Sequence, residues 1–119
     1  MITSLVPMLS VADVERSIEF YSHLGFEVGN TFAAEGGTKP SWAWLKSGDA
    51  QLMLSAASEP TTAKHTVLFY VYTEDVAVAR TSLIHAGLNP GEITTPFYAP
   101  RGEFEIIDPD GYVVMVTHT

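Results

Sequence analysis

Near its end the chain alternates between strand-forming and turn-forming residues, reading GEFEIIDPDGYVVMVTH from Gly102 to His118. Two runs rich in β-branched and aromatic residues, Glu103–Ile107 and Tyr112–Thr117, flank Asp108-Pro109-Asp110-Gly111. Pro109 presets the first central position of a type I turn, and Asp110 suits the next. Gly111 can take the positive φ that closes such a hairpin with a bulge. An earlier stretch has the same form: Trp42–Leu45, then Lys46-Ser47-Gly48-Asp49, then Gln51–Ser55. A displacement of 62 residues carries Met53 onto Met115.

The rest of the pattern predicts the elements in order. Residues 3–11 alternate loosely and read as a strand, with Pro7 marking an edge or a bulge. Asp13 is an N-cap, and Val14, Ile18, Tyr21 and Leu24 recur near a 3.6-residue period until Gly25. A second strand runs over 26–34, a loop over 35–40, and a hairpin over 42–55. Residues 57–64 are polar, contain a proline and read as a linker. A strand follows over 65–72. Asp75 then caps a second helix, with Val76, Ala79 and Leu83 inward and Gly87 at its end. A short strand near 92–95 and an irregular loop, in which Pro96 and Pro100 bound Phe97-Tyr98, lead into the last hairpin.

Each half therefore reads as β-α-β-β-β. When residues 5–55 are aligned with 67–117, at an offset of 62, only six of the 51 positions are identical, so identity alone decides nothing. The placement of the matches decides it. Helix start (Asp13/Asp75), helix end (Gly25/Gly87), turn and final strand repeat in phase, which predicts an internal duplication. Residues 1–119 are expected to form one domain: module one over about 1–56, a linker, and module two over about 65–119.

Composition narrows the class. Apolar residues make up 46% of the 119, which suits a globular protein, and no apolar run reaches the length of a membrane span. The first residues, MITSLVPMLS, lack the basic region of a signal peptide, and this predicts a cytoplasmic protein. Without cysteine there is neither a disulfide framework nor a thiolate metal site. A net charge of −8 disfavours nucleic acid and anionic membrane as partners and suits a cationic ligand.

The words VPMLSVADVERSIEFYSHLGFEV (6–28) and GEFEIIDPDGYVVMV (102–116), in a duplicated unit of this size, resemble the vicinal oxygen chelate superfamily of glyoxalases, bleomycin-resistance proteins and extradiol dioxygenases. The resemblance covers essentially the whole chain. It implies an α+β fold, two tandem βαβββ modules forming a curved mixed-sheet cup with the helices on the outer face. In metal-using members, ligands come from the first and last strands of each module. Carried onto this chain those positions are Val6, Met53, Leu68 and Met115, all apolar. A thioether is a soft donor, poorly matched to zinc, nickel or iron(II), and methionine here is better explained as packing. His65 and His118 lie an odd number of residues from Leu68 and Met115, so alternation turns them away from the cup. His23 and His85 suit helix ends. No metal or other cofactor is expected.

With Met53 and Met115 facing the cup, alternation adds Gln51, Ser55, Val113 and Thr117 from the last strands. From the first strands it adds Val6, Met8, Ser10, Leu68, Tyr70 and Tyr72. The third strands conflict. The 62-residue offset pairs Trp42 with Phe104 and Trp44 with Ile106, yet Ala43, Leu45, Phe104 and Ile106 look helix-facing. One strand would need a bulge. We favour Trp42 and Trp44 in the cup, because two indoles beneath a helix need a large groove; the alternative places them in the core. The expected ligand-binding set is Trp42, Trp44, Met53, Leu68, Tyr70, Tyr72, Phe97, Tyr98, Glu103, Glu105 and Met115.

Three functions compete. The first is a metal-free binding protein that sequesters a planar ligand, with cations favoured over anions. This resembles the bleomycin-resistance branch and implies a homodimer. The second is a glyoxalase- or dioxygenase-type enzyme with an atypical site, in which Glu103 or Glu105 acts as general base. The third is an interaction domain. The apolar residues at the metal positions favour the first and lean away from an enzyme.

Overall fold

The computed structural model describes residues 1, 3–58, 65 and 67–119. The elements are β1 (Met8–Val11), α1 (Val14–Ser22), β2 (Glu27–Phe32), β3 (Trp42–Ser47), β4 (Ala50–Ala56), β5 (Leu68–Thr73), α2 (Val76–His85), β6 (Glu103–Ile107) and β7 (Val113–His118). They fall into two compact units, Met1–Thr62 and Ala63–Thr119. The expected linker, except for residues 57 and 58, lies outside the described residues. No helix among the described residues is long and apolar enough to cross a membrane.

In the first unit a mixed sheet has the order β1-β4-β3-β2, with β1 parallel to β4 and the other pairs antiparallel. Pro7 has no N–H for a ladder, so β1 starts after it and is shorter than the expected 3–11. The Pro7 carbonyl still accepts from the Met53 N–H at 2.9 Å. Helix α1 begins where the sequence predicts, with Asp13 accepting from the Arg16 N–H. It packs on β2, β3 and β4. Leu9, Val11, Ala43, Leu45, Leu52 and Leu54 are all buried, with Val14, Ser17, Phe20 and Tyr21 from the helix. The helix buries Ser17 and Phe20 rather than Ile18 and Leu24, which are only half-buried. The small Ser17 lets the helix come close to the sheet.

The second unit repeats this plan with one strand fewer, in the order β5-β7-β6. Asp75 caps α2 by accepting from the Val78 N–H at 3.0 Å. The helix packs on β6 and β7, where Phe104, Ile106, Val114 and Val116 are buried with Val76 and Leu83. Strand β5 begins at Leu68, later than expected. The short strand expected at 92–95 is reduced to a single bridge, Thr94 with Glu103. Pro90 and Pro96 bracket this stretch and remove the donors that a longer ladder would need.

The conflict between the two third strands is resolved in a turn. Trp44 pairs with Met53, and Glu105 pairs with Met115. Four residues separate Lys46 from its partner Gln51, whereas five separate Ile107 from Val113. The second hairpin thus holds one extra residue in its turn, and β6 follows β3 at an offset of 61, not 62. No bulge in β3 or β6 is required. Asp108 holds the longer turn, its Oδ1 accepting from the N–H groups of Asp110 (2.8 Å) and Tyr112 (2.9 Å). Gly111 closes it at φ 89°.

With this register, adjacent residues on β4 differ sharply in worth. Leu54→Ala, at a fully buried position, should cost about 2–5 kcal/mol. Met53→Ala, on the side away from the helix, should cost clearly less. Urea denaturation of the two variants measures this; equal losses would contradict the register.

Candidate ligand-binding faces

In each unit the helix covers one side of the sheet, and alternation assigns the remaining side chains to the other. In the first unit that other side carries Met8, Met53, Trp44 and Asn30 in one row and Ser10, Ser55, Trp42 and Phe32 in the next. Trp42 and Trp44 are half-buried, while Ala43 between them and Leu45 after them are fully buried. The indoles therefore occupy the side that α1 does not cover.

Trp44 is held from two directions. Its Nε1–H donates to Gln51 Oε1 at 3.1 Å. Its ring lies against Gly29, where a Cβ would come within 2.5 Å of the indole. Lys46 Nζ stands 5.9 Å from the ring centroid. Gly29 sits at the bulge in β2, between Val28 and Asn30. That bulge shifts the alternation and brings Phe32, 62% exposed, beside Trp42. Regular alternation through 26–34 hid Phe32; the sequence clue was the glycine within the run.

In the second unit three rows cross the helix-free side: Tyr72, Thr117 and Glu103; Tyr70, Met115 and Glu105; Leu68, Val113 and Ile107. Leu68, Tyr70, Tyr72, Glu105 and Ile107 are exposed, Val113 and Met115 half-buried. Glu103 is only 2% exposed, and its Oε1 has no hydrogen-bond partner among the described residues. The turn after Pro96 is pinned by buried Ala99, whose N–H donates to the Pro96 carbonyl at 2.9 Å. Its two aromatics project outward, Phe97 94% exposed and Tyr98 60%, edge to face at 5.4 Å. Tyr98 also hydrogen-bonds the Tyr70 side chain. The Tyr70 phenol is raised above its ordinary value of 10.0, by desolvation first and then by neighbouring Tyr98 and Glu103. It therefore stays protonated at neutral pH.

The histidines have other work. His65 stacks on Tyr112 with ring centroids 3.7 Å apart, and its Nε2 lies 3.1 Å from the Asp110 carbonyl. His118 Nε2 accepts from the Arg101 N–H at 3.2 Å.

A family model described as the Glyoxalase/Bleomycin resistance protein/Dioxygenase superfamily matches residues 4–116. The chain belongs to this superfamily. Solved structures with the same fold include a bleomycin resistance determinant encoded on the transposon Tn5. It is 18% identical, with a TM-score of 0.76 over 99% of this chain and 98% of that one. A bleomycin-binding protein complexed with bleomycin is 18% identical, with a TM-score of 0.75 over 99% of each chain. TnmS3, an antibiotic binding protein from Streptomyces sp. CB03234, is 22% identical, with a TM-score of 0.74 over 99% of this chain and 98% of that one. Among curated protein sequences there is no significant match.

The donors present do not fit the divalent ion that metal-using members of the superfamily hold. Met53 has Met8 and Trp44 beside it in the sheet, and Met115 has Tyr70 and Glu105. Met8 and Tyr70, not Val6 and Leu68, are the residues alongside the two methionines. Among the described residues no three His, Cys, Asp or Glu side chains are grouped as a metal site needs. The two thioethers in the first unit, and the thioether, phenol and exposed carboxylate in the second, are poor replacements for the water shell of such an ion.

Gly29→Ala tests the seat of Trp44. The new methyl would overlap the ring and force it to move, at a cost of about 1–3 kcal/mol. Indole emission and near-ultraviolet dichroism should change while the far-ultraviolet spectrum does not. An unaltered indole signal would mean that Trp44 does not rest on Gly29.

Proposed function

We propose that this member of the superfamily binds and sequesters a planar small molecule without a metal, preferring cations to anions, and that residues 1–119 act as one binding domain. The observation that carries this reading is the set of aromatic side chains on the sheet sides the helices leave uncovered: Trp42, Trp44 and Phe32 in one unit, Tyr70 and Tyr72 with Phe97 and Tyr98 in the other. Large exposed apolar groups on a folded surface mark binding sites. Aromatic faces stack on planar rings and attract cations, and the charge of −8 adds to that preference. The structurally similar bleomycin-binding and antibiotic binding proteins support the same reading. The full set proposed to contact ligand is Trp42, Trp44, Met53, Leu68, Tyr70, Tyr72, Phe97, Tyr98, Glu103, Glu105 and Met115. Glyoxalase and dioxygenase chemistry polarises oxygen on a metal, and the donor set here is unsuited to holding one.

The proposed assembly is a homodimer. Sheets of four and three strands end in edge strands with unpaired backbone groups, and a second copy can cover them. Light scattering at micromolar concentration should give twice the chain mass; a monomer would contradict the assembly.

Titration with bleomycin and with 9-aminoacridine, followed by tryptophan quenching, tests the binding. Trp42→Ala should weaken it by about 1–3 kcal/mol. A chelator should change neither affinity nor melting temperature, and added zinc should not raise the latter. If Trp42→Ala unfolds the protein yet leaves the folded fraction with full affinity, the indole belongs to the core and the reading fails.

A further inference from the structure

The buried carboxylate of Glu103 stands out on the helix-free side of the second sheet. It shares its row with Thr117, 6% exposed, and with Tyr72, 65% exposed. Its backbone is fixed on both sides. Glu103 exchanges two hydrogen bonds of 2.9 Å with Thr94, and it pairs across the ladder with Thr117. The side chain has been drawn out of water, yet no donor among the described residues reaches Oε1. A carboxylate oxygen buried without a donor is unfavourable, more so than a neutral amide would be. The fold gains nothing visible from a charge at this position, so its natural complement is a donor from outside the chain.

The geometry points to Glu103 as the residue that selects a ligand carrying a protonated nitrogen, an amine, amidine or imidazolium attached to an aromatic ring, whose N–H would complete Oε1. This rests on the small-molecule reading above and names the group recognised. The neighbours suit such a ligand. Tyr70 is close enough to sense the carboxylate, and Tyr98 reaches Tyr70 from the Pro96–Arg101 turn. Their phenols offer ring faces for the aromatic part and for the cation itself. The contact between the two tyrosines is one neutral hydrogen bond, weaker than the charge-assisted bond that entry of a cationic nitrogen would form. Glu105, two residues along on the same side, is exposed to solvent; its charge attracts cations without selecting among them.

The test compares 9-aminoacridine, a cation at neutral pH, with acridone, a neutral ring system of the same shape. Each is titrated into the wild-type protein, Glu103→Gln and Asp49→Asn. Asp49, exposed in the first hairpin turn, controls for total charge. The wild-type and Asp49→Asn proteins should prefer the cation by roughly tenfold or more. Glu103→Gln should bring that preference close to unity with acridone affinity unchanged, and its melting temperature should stay level or rise because an unpaired buried charge is gone. Retention of the preference by Glu103→Gln would overturn the inference, showing Oε1 to be satisfied by water. So would an equal loss in Asp49→Asn, or a fall of several degrees in the melting temperature of Glu103→Gln. In those cases acridone binding by the wild type would leave the small-molecule reading standing. Failure of the wild type to bind either compound would overturn both.

Discussion

Side chains on a strand point alternately to its two sides, and in each half of this protein one side is closed by a helix over packed aliphatic residues. Leu45 and Leu54 under α1 and Phe104 and Val114 under α2 are so fully buried that none can be moved to the other side. Slipping a strand by one residue would send this whole row into water. The composition of the open side follows as the remainder. Trp42 and Trp44 face away from α1 because Ala43 and Leu45 cannot, and Glu103 faces away from α2 because Phe104 cannot. The side the helix leaves uncovered is thus composed by the side that it packs against.

The open sides differ in how firmly they are set. Trp44 is tied by Gln51 and seated on Gly29, so little side-chain freedom remains to be lost when a ring stacks on it. Phe97 and Tyr98 stand largely in solvent and would lose freedom on contact. Glu103 combines a fixed backbone with an incomplete hydrogen-bond shell, a pairing that stability alone does not favour.

Much of this was legible in the sequence because it is local. The caps at Asp13 and Asp75, both helices and the two hairpins depend on residues within a few positions of each other. The repeat fixed the correspondence of first and last strands, and it was confirmed by Met8 beside Met53 and Tyr70 beside Met115. What stayed hidden depends on contacts between distant segments. The bulge at Gly29 turned Phe32 toward Trp42, and flanking prolines reduced the expected strand at 92–95 to a bridge with Glu103. The carboxylate of Glu103 reads as an ordinary strand-edge charge in the sequence, since burial belongs to the packed chain and not to the residue type.

The extra residue in the 108–112 turn carries a consequence for how such a duplicated fold diversifies. Lengthening a hairpin by one residue at its tip leaves the last strand and the helix in place, while every residue of the strand before it trades sides relative to its counterpart in the other half. Selection on the core then installs aliphatics at a new set of positions, and the residues between them become the new lining. One indel in a hairpin turn can in this way exchange an aromatic wall for an acidic one without a single substitution on the neighbouring strand. Loop length becomes a heritable control of pocket chemistry, acting through parity rather than through contact.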